Sequence, residues 1–235
     1  MTVQQIMTEL EKLGSPSIKK ILLKHGVREP LFGVKISDMK PIQKKIKMDY
    51  QLAKDLYATG NADAQYLAGL IADDAKMTKS DLQTWVKQAL SNTVYEYTVP
   101  WVTAGAQHGY ELALKWIDAK EEHIVTAGWS TLANLAALQP DDKLDLPGLK
   151  ALLARVVKEI HSAPNRARYT MNNFVICVGS YVASLTADAI AAAKKIGAVT
   201  VDMGDTSCKL PVATEYIKKA KDKGSLGKKK KTVKC

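Results

Sequence analysis

The stretch from Pro147 to Ser162, PGLKALLARVVKEIHS, decides the fold class. Leu149, Leu152, Leu153, Val156, Val157 and Ile160 recur at steps of three and four, with Lys150, Arg155 and Lys158 between them. That spacing puts the apolar side chains on one stripe of a helix and the cations on the other. Pro147 suits a first helical turn, where no backbone N–H is needed. Similar stripes run to either side, near 3–13, 16–25, 38–48, 50–59, 62–74, 79–90, 93–106, 109–118, 121–138, 166–184, 187–196 and 211–222. Ser15, Ser37, Asn61, Thr78 and Thr186 stand where N-caps belong. Only Ala198–Met203 (AVTVDM) has strand-like character, and it is short enough to be an extended connection.

About a dozen helices with short links, and no alternation of helices with strands, leave bundles or stacked helical pairs. Helix–turn–helix units arrive about every 30–45 residues between 50 and 185, the spacing of HEAT-like arrays. The reading is therefore all-α, a superhelical array of HEAT-like helical repeats, with a compact bundle as the alternative. Residues 1–223 are expected to form a single domain. Val27–Ser37, with Pro30 and Gly33, and Gly204–Pro211 read as loops. After Gly224 the sequence GSLGKKKKTVKC lacks apolar periodicity, so 224–235 is expected to be a disordered Lys-rich tail.

Charge sits in two blocks. The chain holds 34 Lys and Arg against 24 Asp and Glu, a net +10. Residues 17–48 contribute +7 and residues 217–235 contribute +8, so the remainder is acidic. Two cationic blocks on an otherwise acidic chain point at an anionic partner, most often phosphate. Lys19 and Lys20 lie in the first block, and Lys40, Lys44 and Lys47 follow at i, i+4 and i+7, a stripe able to track a nucleic-acid backbone. Arg is limited to Arg28, Arg155, Arg166 and Arg168. Arg is the usual reader of guanine edges and Lys a point charge, so contacts should be to phosphates and insensitive to base sequence.

Other chemistries find no support. The opening Met1-Thr-Val-Gln-Gln-Ile has no basic region followed by an apolar run, and no 18 consecutive residues are apolar. Cys177, Cys208 and Cys235 are far apart and form no CxxC, which fits a reducing cytoplasm rather than a disulfide framework or a zinc site. No GxxxxGK[ST] and no GxGxxG is present. The four histidines fall in separate helices, and Cys177 lies in an apolar run. No metal or cofactor is expected, and the chain is expected to be a cytoplasmic monomer.

Aromatic residues gather in the middle. Tyr95, Tyr97 and Trp101 share one segment, with Trp85, Trp116 and Trp129 on neighbouring helices. Within TVYEYTVPWVTAGA (93–106) a lone carboxylate, Glu96, sits between two tyrosines, and Pro100 lies inside the helix. A proline there costs about 3 kcal/mol unless the local structure yields. A kink flanked by Tyr95, Tyr97, Trp101 and Trp129 and an acid can wall a cleft. The same residues also make a packed core. Asn172 and Asn173, after Arg166, Arg168 and Tyr169, interrupt an apolar helix.

Phe32-Gly33-Val34-x-Ile36-x-x-Met39-Lys40, opening a basic helix after a loop, resembles the N-terminal signature of the AlkD-like DNA alkylation repair family. The Tyr95–Pro100 helix, Trp116-Ile117 and the 166–184 helix follow in that family's order, so the resemblance spans about residues 10–220. It implies a helical superhelix whose basic concave face holds duplex DNA, and active members that excise cationic N3- or N7-alkylated purines. Those members place a Trp, an Asp four residues later and a Pro four further on. Counting back from Pro100, this chain has Asn92 and Glu96. Thr126 falls where they carry an Arg, with Lys120 the nearest cation, and their second Trp falls near Ile176.

An alkylated purine already leaves readily, and the enzyme's task is to stabilise the cation developing on the sugar. A carboxylate does this electrostatically and aromatic faces assist. Of four functional positions only a carboxylate survives, one methylene longer. The resemblance thus implies backbone binding of duplex or structured DNA without the usual excision. Glu96-dependent glycosylase activity is the alternative. A helical-repeat scaffold for an acidic protein partner is a further one.

Overall fold

A computed structural model describes all 235 residues, Met1–Cys235. It is all-α, with thirteen α-helices and no strand. The chain packs as two compact units. The first holds Met1–His108, Met203–Ser207 and Lys234–Cys235, and the second holds Gly109–Asp202 and Cys208–Val233.

The first unit contains α1 (Val3–Leu13), α2 (Pro16–Lys24), α3 (Ile36–Ile46), α4 (Tyr50–Ala58), α5 (Ala62–Ile71), α6 (Lys79–Gln88) and α7 (Val99–Gly105). Helix α5 is its centre, buried at every position. Its sequence ADAQYLAGLI has small residues on several faces, which lets α3, α4 and α7 approach closely. Tyr57 of α4 stacks flat on Trp85 of α6, with ring centroids 4.1 Å apart, and its hydroxyl donates to the Trp85 carbonyl. Local signals set several ends. Thr2 and Gln5 form a capping box on α1, Thr78 and Asp81 another on α6, and Asn61 accepts from Asp63 N and Ala64 N at the start of α5.

The second unit contains α8 (Gly109–Trp116), α9 (Glu122–Leu138), α10 (Leu146–Glu159), α11 (Asn165–Tyr181), α12 (Thr186–Ile196) and α13 (Ala213–Asp222). Helices α9 and α11 are its long central pair, and Trp129, Leu132, Met171, Phe174 and Val178 fill the core between them. The stripe on α10 buries Leu149, Leu152, Leu153 and Val156 as the spacing required, and Pro147 sits in its first turn beyond the Asp145 cap.

Four local expectations are corrected. Ser37 lies inside α3, whose cap is Lys35. Thr186 is the first residue of α12, which follows directly on a 3-10 turn, Ala183–Leu185, and its hydroxyl donates to the Gly179 carbonyl instead of capping. The 93–106 helix is two elements. Val94–Thr98 is a π-helical turn and α7 begins at Val99. Restarting the helix there places Pro100 in a first turn, where its missing N–H is harmless. Lastly, residues 224–235 are not a contact-free tail. Gly227 N donates to the Ser180 carbonyl, Lys230 N to Ala137, and Lys229 Nζ to Ala136. Lys234 Nζ reaches the Ala72 carbonyl. These acceptors close the ends of α11, α9 and α5, where backbone carbonyls lack helical partners and cations are favoured.

Candidate nucleic-acid interface

The basic part of the first unit is organised by one buried carboxylate. Asp63, in the first turn of α5, accepts from the backbone N–H groups of Phe32, Gly33 and Val34 at 2.6–3.1 Å. The Phe32-Gly33-Val34 loop is thereby fixed to the central helix. Gly33 has φ +82°, and a Cβ there would stand 2.5 Å from Lys19 N, so only glycine lets the loop press against α2. Val27 and Leu31 pack with Ala62 and Leu22 beneath. Helices α2 and α3 are thus mounted on α5 from either side of one loop. The sequence reading missed Asp63, because its partners lie about thirty positions away.

The loop carries the cations outward. Lys20, Lys24, Lys35, Lys40, Lys44, Lys45 and Lys47 are all exposed. Lys40 and Lys44 share a face of α3, about 6 Å apart along its axis. Lys47 does not continue that stripe. It lies past the last residue of α3 with φ +68° and ψ −104°, a backbone that non-glycine residues rarely adopt. Lys19 pairs with Glu29 at 2.8 Å, and the hydrogen bond from Lys19 holds the Glu29 carboxyl below its ordinary value.

Arg166 and Arg168 of the second unit differ from each other. Arg168 Nε donates to the Ala163 carbonyl and its Nη1 to Thr200, so its fork fastens the start of α11 to the extended 198–202 segment. Asn165 pairs with both backbone groups of Asp202 and completes that attachment. Arg166 lies over the Tyr169 ring at 4.8 Å, and its backbone N–H donates to Glu122. Asn172 is buried and donates to the Pro211 carbonyl. Burial pushes the Cys177 thiol up to about 11, as suits a structural cysteine.

The aromatic residues also separate. Trp129 is 1% exposed in the core of the second unit, tilted against Phe174 at 5.3 Å. It is a core residue there and lines no open surface. In the first unit Trp101 is buried, edge-on to Tyr66 at 5.4 Å and 5.9 Å from Tyr97. Tyr97, 38% exposed, is the accessible edge of that group, and Tyr95 is half-buried. Tyr66 was not singled out from sequence. Burial, followed by the nearby Cys235, holds its phenol well above the ordinary value.

Glu96 occupies the π-helical turn and is 3% exposed. That turn packs closely on α5, since a Cβ at Gly69 would meet Thr98 Cγ2 at 2.5 Å. Asn92, at the position of the family's first Trp, donates its side-chain amide to the His25 carbonyl. Beside it, Ser91 Oγ accepts from Arg28 N at 2.9 Å. Residues 91–92 therefore hold the basic loop and present no aromatic face. Thr126 and Ile176, at the other two family positions, are both buried in the second unit.

A solved structure described as "A new family of proteins related to the HEAT-like repeat DNA glycosylases with affinity for branched DNA structures" superposes with TM-score 0.91. It is 38% identical and covers all of both chains. Two relatives, the uncharacterized proteins Lin0241 of Listeria innocua and Lmo0209 of Listeria monocytogenes, are 34% and 31% identical. Each match covers 95% of this chain and 99% of the relative. The model of the family described as DNA alkylation repair enzyme matches residues 6–217. This all-helical chain of HEAT-like repeats belongs to the DNA alkylation repair enzyme family.

Proposed function

We propose that this protein binds branched duplex DNA through phosphate contacts and does not excise bases. The exposed Lys20, Lys24, Lys40, Lys44 and Lys45, held on α2 and α3 by the Asp63-bound loop, carry the reading. The affinity of its 38%-identical structural relative for branched DNA supports the choice of ligand. A surface dominated by lysines, with Arg28 as its one exposed arginine, matches charge and spacing more than base edges. The absence of excision follows from the altered positions. Asn92 is engaged by a backbone carbonyl, Thr126 and Ile176 are buried, and Glu96 has almost no exposed surface on which to meet a sugar.

A salt titration of four-way-junction binding tests the reading. With about five phosphates neutralised, log K should fall against log salt with a slope of about −4 to −5. Binding that ignores salt, or no binding to any duplex or branched DNA at low salt, overturns it.

A further inference from the structure

We propose that residues 228–235 form a docked strap that DNA displaces, its lysines exchanging their partners within the protein for phosphates. The inference rests on the DNA-binding reading above. Leu226 packs on the core of the second unit and anchors the segment. Beyond it the attachments are polar. Lys229 Nζ stands 2.8 Å from Asp141 and 2.9 Å from the Ala136 carbonyl. Lys230 lies over Tyr181 at 5.5 Å. In the first unit Lys234 Nζ is 2.7 Å from Asp74 and 3.1 Å from the Ala72 carbonyl.

Bonds of this kind are the ones a polyanion competes for. Lys228 and Lys231 are exposed and offer phosphates a first hold. Their neighbours can then exchange a carboxylate or carbonyl for phosphate oxygens, and that exchange is favoured by the high charge density of DNA. Asp74 opposes release, since losing Lys234 leaves its partly buried carboxylate without a counter-charge, and the phosphate contacts have to outweigh that loss.

Carbodiimide coupling of the full-length protein reads the docked state directly. It should join Lys234 to Asp74, a product identified by mass spectrometry and missing from Lys234→Gln. A saturating four-way junction should lower that yield about fivefold or more. Protein coupled beforehand should bind the junction about tenfold more weakly. Asp74→Asn, which keeps every lysine of the strap, should bind several-fold more tightly. Junction binding is followed by anisotropy in the same samples. If the junction binds and the coupling yield stays constant, the strap inference alone is wrong. If no junction binds, the DNA-binding reading falls and the strap inference with it.

Discussion

The two cationic blocks carry nearly the same charge, +7 over 17–48 and +8 over 217–235, yet the fold uses them differently. In the first block most lysines stand on α2 and α3 or at the ends of α3 with their ammonium groups exposed, while Lys19 pairs with Glu29. In the second block the last lysines belong to a segment with no helix of its own. Lys229 and Lys234 answer the carbonyl ends of α9 and α5 and the carboxylates of Asp141 and Asp74. Composition measures how much charge a segment has. Local structure decides whether that charge faces outward or is used within the molecule.

The largest expected effect breaks the first block. Changing Lys40, Lys44 and Lys47 together to Glu turns three attractions into repulsions. Junction affinity should fall about a hundredfold at low salt, while the melting temperature moves little because exposed charges contribute about 0–1 kcal/mol each. Unchanged affinity of a folded triple variant would move the DNA surface elsewhere in the protein.

The second block should respond in the opposite sense. Deleting 228–235 removes the interactions at the ends of α9 and α5, together worth about 1–3 kcal/mol. For a chain of this size that is a fall of several degrees in melting temperature. A fully disordered tail would leave the melting temperature unchanged. Calorimetry of the two forms therefore tests whether the difference between the blocks holds in solution.

These contrasts also show what the sequence could and could not reveal. The starts of α5 and α6 and the first turn of α10 were legible because Asn61, Thr78 and Pro147 act on neighbours within a few positions. The family signature was legible for the same reason, as a run of adjacent residues. Asp63 and Lys234 were not. Their partners lie 29–31 and 160–162 positions away, and nothing local marks an aspartate as the holder of a distant loop. Glu96 could be placed in a helix but not at a buried π-helical turn, because its exposure depends on α5 packing through Gly69. Trp129 looked like a cleft residue because aromatic clustering in sequence cannot separate a wall from a core.

A subtler change sharpens the reading of the first block. Lys47 contributes a cation but holds a positive φ that suits glycine. Lys47→Gly should stabilise the protein by about 1 kcal/mol through relief of that backbone. It should also lower the salt slope of junction binding by about 0.9, the share of one phosphate. A stabilised variant with an unchanged slope would mean that Lys47 meets no phosphate and that the interface is centred on Lys40 and Lys44.

The smallest expected effect concerns Glu96, the one ionisable residue left at the family's catalytic positions. Working enzymes need such a carboxylate beside the sugar, where it supplies several kcal/mol of transition-state stabilisation. Here Glu96 is buried under a turn pressed onto α5, and the neighbouring Asn92 fastens a loop instead of holding a lesion. Wild-type protein should therefore release no methylpurine from alkylated DNA above background, and Glu96→Gln should leave both that result and junction affinity unchanged. The informative outcome is the reverse one. Clear base release by the wild type, abolished in Glu96→Gln with DNA affinity intact, would require the π-helical turn to open on binding and would make this chain a glycosylase. Release that survives the substitution would assign the chemistry to another residue and leave Glu96 a structural part of the turn.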